Sequence, residues 1–209
     1  MPTKDRILNN ALRLLGEPPS TGVDDTSPWV KRLLGAHDDV LQGMLESYPW
    51  NFAVKVQQLA ADATADKTGW DYAFTKPGLC WRLMGVSDRA DWRPGDYEIP
   101  YDDQRGFILT NFETTYLMFV DGTFKDREGD WPQVFADYLA AKLAHSVAPV
   151  TDEGNSTMER IERALVDRRR AAKAWDAQSK APWKIPLGRY LTSRHAGIRT
   201  PARSGRYGR

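Results

Sequence analysis

The chain has 209 residues, 41% hydrophobic and 11% aromatic, which suits one domain with an appendage and excludes a wholly disordered protein. A single cysteine, Cys80, excludes an intrachain disulfide, and with three scattered histidines it also excludes a cysteine-based zinc site. The first residues lead straight into an amphipathic helix, and no apolar stretch has membrane-spanning length, so we expect neither signal peptide nor membrane insertion. We expect a protein of a reducing compartment, or of a particle assembled there.

The net charge of +1 conceals an uneven distribution. Residues 177–209 contain eight of the 29 bases and none of the 28 acids, which leaves 21 bases and a charge of −7 on residues 1–176. The eight bases are Lys180, Lys184, Arg189, Arg194, Arg199, Arg203, Arg206 and Arg209. An acidic body with a basic arm predicts an anionic partner for the arm. That partner is nucleic acid, the acidic surface of a neighbouring protein, or another copy of this chain.

Residues 1–49 are predicted to form two amphipathic helices. The first covers Thr3–Leu15 and ends at Gly16, which precedes two prolines. The second begins with Ser27 as N-cap and Pro28 in its first position, a strong start signal. Because a short proline-rich loop joins the two helices, we expect an antiparallel helical hairpin.

Residues 50–129 change to short apolar runs separated by Gly, Pro and Asp, which predicts a β-rich insert. The candidate strands are Phe52–Leu59, Leu79–Val86, Glu98–Tyr101, Phe107–Thr110 and Thr115–Val120. The last two runs lie about four residues apart and are predicted to pair as a hairpin. The loop Asp88–Asp96 is polar, so we expect it outside the core.

Residues 130–178 are predicted to form a second helical pair that packs on the first. Asp130 and Gln133 stand in capping-box positions for the third helix. The fourth runs from about Ser156 to Trp175, with an outer face dense in Glu and Arg. Residues 179–209, interrupted by Pro and Gly, are predicted to be an extended arm. The fold class is α+β, mainly α: about four helices with a β-rich insert and an extended C-terminal arm.

This order of elements resembles that of the head-to-tail adaptor proteins of short-tailed phages, the tail tubular protein A family. The stretches that carry the resemblance are Ile7–Pro19, the step Trp50-Asn51-Phe52, the helix Trp131–Ala144 and the long charged helix to Trp175. Together they cover most of the chain in the order of that family.

The resemblance implies a structural virion protein of the phage neck, assembled in the host cytoplasm. It implies a homo-oligomer, a ring of twelve copies that binds the portal protein on one side. The tail nozzle, a protein similar to tail tubular protein B, would bind the other side, and DNA would pass through the channel. The C-terminal segments would then reach the portal.

Aromatic residues alternate with bases in the arm, and both are residue types favoured at interface hot spots. The candidate docking residues are Trp183, Lys184, Arg189, Tyr190, Arg194, Arg199, Arg203, Arg206 and Tyr207. Docking on protein is favoured because a DNA-binding protein usually spreads its positive charge over the folded domain. Nucleic-acid binding by phosphate pairing and base stacking is the alternative, and a solubilising tail is the third possibility.

No catalytic, metal or cofactor site is predicted, and we expect the chain not to be an enzyme. His37, His145 and His195 form no metal-binding pair, and we expect the first two at helix surfaces or interfaces. No Gly-rich phosphate loop occurs, and Cys80 is expected to be a buried, inert thiol. A peptidoglycan hydrolase is the least favoured alternative, since it needs two acids about 5–10 Å apart. Possible members of such a pair are Glu46, Asp71, Glu98, Asp102, Asp103 and Glu113.

Overall fold

The computed structural model describes residues 1–22, 27–92, 98–104, 106–148 and 155–179. Within these ranges the chain forms four α-helices and two three-stranded antiparallel sheets, which confirms the predicted α+β, mainly helical class. The helices are α1 (Lys4–Leu15), α2 (Pro28–Ser47), α3 (Gln133–Val147) and α4 (Asn155–Ser179). The strands are β1 (Val54–Gln58), β2 (Tyr72–Thr75), β3 (Cys80–Ser87), β4 (Asp102–Gln104), β5 (Phe107–Thr110) and β6 (Tyr116–Asp121).

The N-cap of α2 and the glycine that ends α1 are those that the sequence predicts, and Thr3, expected as the first helical residue, is the N-cap of α1. The Thr3 hydroxyl accepts a hydrogen bond from the Arg6 N–H, and the Ser27 hydroxyl accepts one from the Val30 N–H. Gly16 ends α1 with φ of 88°, in the left-handed region that costs glycine nothing. Local capping chemistry therefore sets where these helices begin and where α1 ends.

Helix α3 is the centre of the helical layer. It contacts α1, α2 and α4, and α1 and α2 each contact α3 more than they contact one another. The buried face of α3 includes Phe135, Leu139 and Leu143. The first two helices are thus held together largely through a third helix, rather than by the direct hairpin contact that we expected.

The predicted N-cap of α3 is wrong. Asp130 belongs to a short 3-10 turn, Glu128–Asp130, and its carboxylate lies 3.7 Å from Arg127 Nε. Helix α3 begins at Gln133, directly after Pro132, which takes the N-cap position without a side-chain hydrogen bond. Trp131, directly before Pro132, has extended backbone angles, so the helix starts two residues later than the pattern suggested.

The predicted hairpin between Phe107–Thr110 and Thr115–Val120 is also wrong, because these strands belong to different sheets. The first sheet has the order β1-β6-β3 and the second the order β2-β5-β4. Strand β6 is central and buried on both faces: Leu117 and Phe119 pack towards the second sheet, whereas Val120 packs with the helices. A strand with two apolar faces needs layers on both sides, and the first sheet therefore lies between the helices and the second sheet.

One predicted strand is not a strand in the structure, and one strand of the structure was not predicted. The apolar run Glu98–Tyr101 lies before β4, although Ile99 in it is buried and donates its N–H to the Val86 carbonyl. The short strand β2, Tyr72–Thr75, was not predicted at all. Both errors arise because apolar runs of four residues mark burial without specifying strand geometry.

The loop that we expected to lie outside the core contributes a core residue. Trp92 is only 5% exposed, and an added Cβ at Gly85 would lie 2.6 Å from Cη2 of its ring. Residues 93–96 of the predicted loop lie outside the described ranges. Gly85 thus provides the space for Trp92, which the average polarity of the loop conceals.

A second close approach predicts a loss of stability. A Cβ at Gly122 would lie 2.6 Å from Nε1 and Cε2 of Trp81, so we expect Gly122→Ala to lower the free energy of unfolding by about 1–3 kcal/mol. The matched control is Gly43→Ala, at an exposed position of α2 with no atom within 4 Å of the new methyl. We expect Gly43→Ala to raise the free energy of unfolding by up to about 1 kcal/mol, because alanine favours a helix more than glycine does. Urea unfolding followed by tryptophan fluorescence measures both, and equal effects would contradict the packing argument.

Candidate functional site at the C-terminal end of α4

The nine candidate docking residues lie outside the described residues. They are Trp183, Lys184, Arg189, Tyr190, Arg194, Arg199, Arg203, Arg206 and Tyr207. The described chain ends at Ser179, in the last turn of α4 and directly before the basic segment. The candidate site in the structure is therefore the root of that segment.

Helix α4 lies on the body through a narrow face. Its fully buried residues include Ile161 and Ala172, and most of the remaining surface is exposed. Two arginines of α4 form hydrogen bonds to the body. Arg160 Nη2 donates to the Leu14 carbonyl at 3.0 Å, near the C-terminus of α1. Arg168 Nη1 donates to the Asp137 carbonyl of α3 at 3.1 Å. Burial lowers the pKa of Arg168 from its ordinary value, in opposition to the nearby Asp137 carboxylate.

The last turn of α4 is fixed by a buried carboxylate. Asp176 is 2% exposed, and its Oδ1 accepts a hydrogen bond from the Asn51 backbone N–H at 2.8 Å. The Asn51 side-chain amide donates to the Asp176 carbonyl at 2.6 Å and to the Ser179 hydroxyl at 3.1 Å. Ser179 in turn donates to the same carbonyl at 2.7 Å. One asparagine thereby holds both the side chain and the terminal carbonyl of the helix.

Tyr48, the C-cap residue of α2, completes this polar network. Burial, followed by the charge of Asp176 and a hydrogen bond to it, raises the pKa of Tyr48 above its ordinary value. The phenol therefore stays protonated and donates to the carboxylate. The ammonium of Lys173 lies 4.7 Å from the centre of the Tyr48 ring, a cation–π contact on the exposed side.

The tripeptide Trp50-Asn51-Phe52 brings the two ends of α2 and α4 together. Trp50 is 1% exposed, donates its indole N–H to the Met44 carbonyl at 3.0 Å, and lies with its ring 5.0 Å from Phe135. Phe52 stacks edge-on against the same phenylalanine at 4.9 Å. With Trp50 buried and Phe52 partly buried among aromatic rings, Asn51 has one orientation, which faces α4.

The sequence prediction missed Asp176 and Asn51 as a pair. A usable signal was present, because Asp176 continues the spacing of Ile161, Leu165, Arg168 and Ala172 at intervals of three and four residues. An acid on the buried stripe of a helix requires a donor nearby. The identity of that donor, 125 residues away in the chain, depends on the tertiary fold.

The six carboxylates weighed for a hydrolase lie on α2, on β4 and on three loops. Glu46 ends α2, where its Oε1 accepts from Gln42, and Asp103 pairs with Lys76 at 2.7 Å. Asp102 accepts from Gln104, two residues along the same strand. Asp71, Glu98 and Glu113 are exposed on loops. Neither the shallow depression on α4 nor the one beside Pro18 and Pro19 is lined by any of the six.

One histidine prediction is wrong. His37 lies on the buried face of α2 and is 1% exposed, whereas we expected it at a surface or interface. Its Nδ1 lies 2.8 Å from Asp38 Oδ1, and this hydrogen bond holds the pKa of Asp38 below its ordinary value. His37 recurs with Leu33 and Met44 on the apolar stripe, so packing decides its position. His145 is half-buried near the end of α3, and His195 lies outside the described residues.

The described ranges hold neither a metal-binding cluster nor a membrane-spanning helix. No group of three or more His, Cys, Asp or Glu side chains there is arranged to hold a metal ion. No helix in that part of the chain combines the length and the apolar composition needed to cross a membrane.

The buried carboxylate predicts unequal effects of two aspartate substitutions on α4. Asp176→Ala leaves the Asn51 N–H without its acceptor, so we expect a loss of about 1.5–3 kcal/mol in the free energy of unfolding. Asp167→Ala removes an exposed carboxylate and should change stability by less than about 0.5 kcal/mol. Urea unfolding compares the stabilities of the two variants. Amide hydrogen exchange in the last turn of α4 should become faster in Asp176→Ala but not in Asp167→Ala. Equal losses would show that Asp176 does not anchor the helix.

We expect the thiol of Cys80 to react slowly with alkylating agents in the folded chain. It is half-buried rather than fully buried, and this burial raises the pKa of its thiol. Because the thiolate is the reactive form, alkylation by iodoacetamide at pH 8 should be several-fold slower than for the same chain unfolded in urea. Mass spectrometry follows the adduct over time. Identical rates in the folded and unfolded chain would contradict this assignment.

Comparison with known proteins gives no family to set beside this geometry. No protein-family model matches the sequence, and no curated protein matches it. The candidate site is therefore identified from its own residues: a buried asparagine–aspartate contact at the root of a basic segment.

Proposed function

We propose that this chain is a structural virion protein, a ring-forming head-to-tail adaptor that joins a phage portal to its tail nozzle. In this proposal the body forms the ring, the basic C-terminal segment docks on the portal or an adjacent subunit, and DNA passes through the channel. The observation that carries the proposal is the buried Asn51–Asp176 contact, which anchors the root of that segment. The twelve-fold number comes from the family resemblance.

The anchored root supports a mechanical role. A docking segment can join two proteins only if its own attachment is firm, and a buried carboxylate that accepts hydrogen bonds from Asn51 and Tyr48 resists local opening. The bases of the segment begin at Lys180, next to the last residue of α4. In a ring every copy contributes one such segment, so individually modest contacts combine into a durable joint.

The charge of the body supports passage of DNA rather than its retention. Residues 1–176 have a net charge of −7, and a channel lined by acids repels the phosphate backbone. A nucleic-acid-binding protein would instead carry bases on its folded domain. Protein docking is therefore the function that the charge distribution favours.

Truncation of the basic segment tests the proposal. We expect residues 1–179 to keep the far-ultraviolet circular dichroism of the body and to lose binding to portal protein in a pull-down assay. A milder variant, Arg189→Glu with Arg194→Glu, should weaken binding at least about tenfold, since charged interface pairs are worth 1.4 kcal/mol or more. Its matched control, Lys31→Glu with Lys125→Glu, changes the net charge equally at exposed sites of the body and should bind normally.

The alternatives give different results in the same experiment. Undiminished portal binding by residues 1–179 would contradict the docking role. Binding to duplex DNA that weakens steeply between 50 and 200 mM salt, lost with the same truncation, would favour the nucleic-acid alternative. Electron micrographs of the protein mixed with portal show whether a ring forms.

A further inference from the structure

The outer face of α4 carries a stripe of charged residues around one exposed valine. The members of this stripe are Glu159, Glu162, Arg163, Val166, Asp167, Arg170 and Lys173. They recur at intervals of three and four residues, so they share one side of the helix, away from Ile161 and Ala172. All seven are exposed, and Val166 is 54% exposed at the centre of a shallow depression.

Four of the six charges of this outer stripe are arranged symmetrically about Val166. Glu159 and Lys173 each lie seven residues from it, and Glu162 and Arg170 each lie four residues from it. Acids therefore occupy the N-terminal positions, and bases occupy the equivalent C-terminal positions. If a second copy of the helix lies antiparallel with the two valines in contact, each acid of these pairs faces a base. Arg163 then faces Arg169, a like-charge pair that the two opposite-charge pairs on each side outnumber.

The outer stripe carries no net negative charge, whereas the body is acidic. Three acids and three bases of the stripe, with the exposed Arg169 beside them, surround Val166, while residues 1–176 carry a charge of −7. Two acidic bodies repel one another, and the outer stripe is a place where they can approach without that cost. Within the described residues its contacts are few: Arg163 lies 3.9 Å from Glu159, and Lys173 lies over the Tyr48 ring.

We propose that the outer stripe of α4 binds the same stripe of a second copy, antiparallel and related by a two-fold axis through Val166. Such an isologous contact is self-complementary by construction. This inference goes beyond the proposed function, because it concerns the free chain and holds whether or not the chain joins a phage portal.

Stabilisation of the single helix is the competing explanation for the charge order. Acids near the N-terminus and bases near the C-terminus of a helix interact favourably with its dipole. That explanation accounts for the charges but leaves Val166 exposed among them. It also predicts no dependence of association on these residues, so the two explanations separate experimentally.

The expected association is weak and reversible. Four turns of one helix bury less than the roughly 800 Å² per partner of a standard stable interface. We therefore expect a dissociation constant on the order of 100 µM that rises with salt, because the pairs are exposed. Sedimentation equilibrium of the full chain at 10–500 µM measures it.

Charge reversal tests the pairing. We expect Glu159→Lys with Glu162→Lys, and separately Arg170→Glu with Lys173→Glu, each to weaken dimerisation at least about tenfold. An equimolar mixture of these two variants restores every opposite-charge pair and should associate at least as tightly as the natural chain. The controls, Asp39→Lys with Asp126→Lys and Lys31→Glu with Lys125→Glu, change the net charge equally at exposed positions. Mixed together, the controls should not exceed the natural association.

Cysteine cross-linking tests the register. In a Cys80→Ser background, Val166→Cys should oxidise to a disulfide-linked dimer, since packed helices 8–10 Å apart bring facing Cα atoms within bonding range. Ala177→Cys is the matched control. It lies eleven residues from the pivot, so its two copies would be about 33 Å apart and should remain reduced.

Three results would overturn the inference. One is a chain that stays monomeric up to about 1 mM, roughly ten times the expected dissociation constant. The second is a dimer indifferent to both charge reversals, and the third is equal cross-linking at positions 166 and 177. Portal binding by the same charge-reversal variants is measured in parallel, so loss of dimerisation and loss of the adaptor function are told apart.

Discussion

The burial of Trp50 is the interaction on which the rest of the structure depends. Its indole closes the end of α2 through the Met44 carbonyl and packs edge-on against Phe135 of α3. The residue after it reaches α4, and Phe52 contacts Phe124 in the 3-10 turn that follows β6. Helices from both ends of the chain and the central sheet thus meet at three consecutive residues. A large, rigid side chain with a single donor suits such a junction, because its packing and its hydrogen bond specify one orientation.

The anchored end of α4 connects this junction to the proposed function. Asp176 is fixed by the residue next to Trp50, so the position of the last helical turn is determined by the core and not by the basic segment that follows it. The proposed docking contacts and the stability of the body can therefore change independently. The exposed side of the same helix provides a second surface. Helix α4 therefore packs on the core, anchors the start of the basic segment and carries the proposed contact with another copy.

Local signals predicted the helices well and strand pairing poorly. Gly16 and Ser27 act on the few residues beside them, so their effect can be deduced from sequence alone. The partners of β5 and β6 depend on which apolar face meets which layer, and the five residues between the strands do not contain that information. The same limit applies to the site. The sequence spacing places Asp176 on the buried side of α4, but its pairing with Asn51 could be identified only from the tertiary fold.

The separation of β5 and β6 into different sheets has a consequence for folding kinetics. In the first sheet, β6 pairs with strands that are distant from it in the chain: Val54 in β1 pairs with Val120, and Cys80 in β3 pairs with Asp121. Closing such long loops costs entropy before any contact compensates for it, so folding rates fall as contacts become less local. The helices can form early, whereas the central sheet must wait for the chain up to Asp121. During synthesis the nascent chain therefore exposes an unpaired β1 and an unpaired, largely apolar β3 until β6 has emerged from the ribosome.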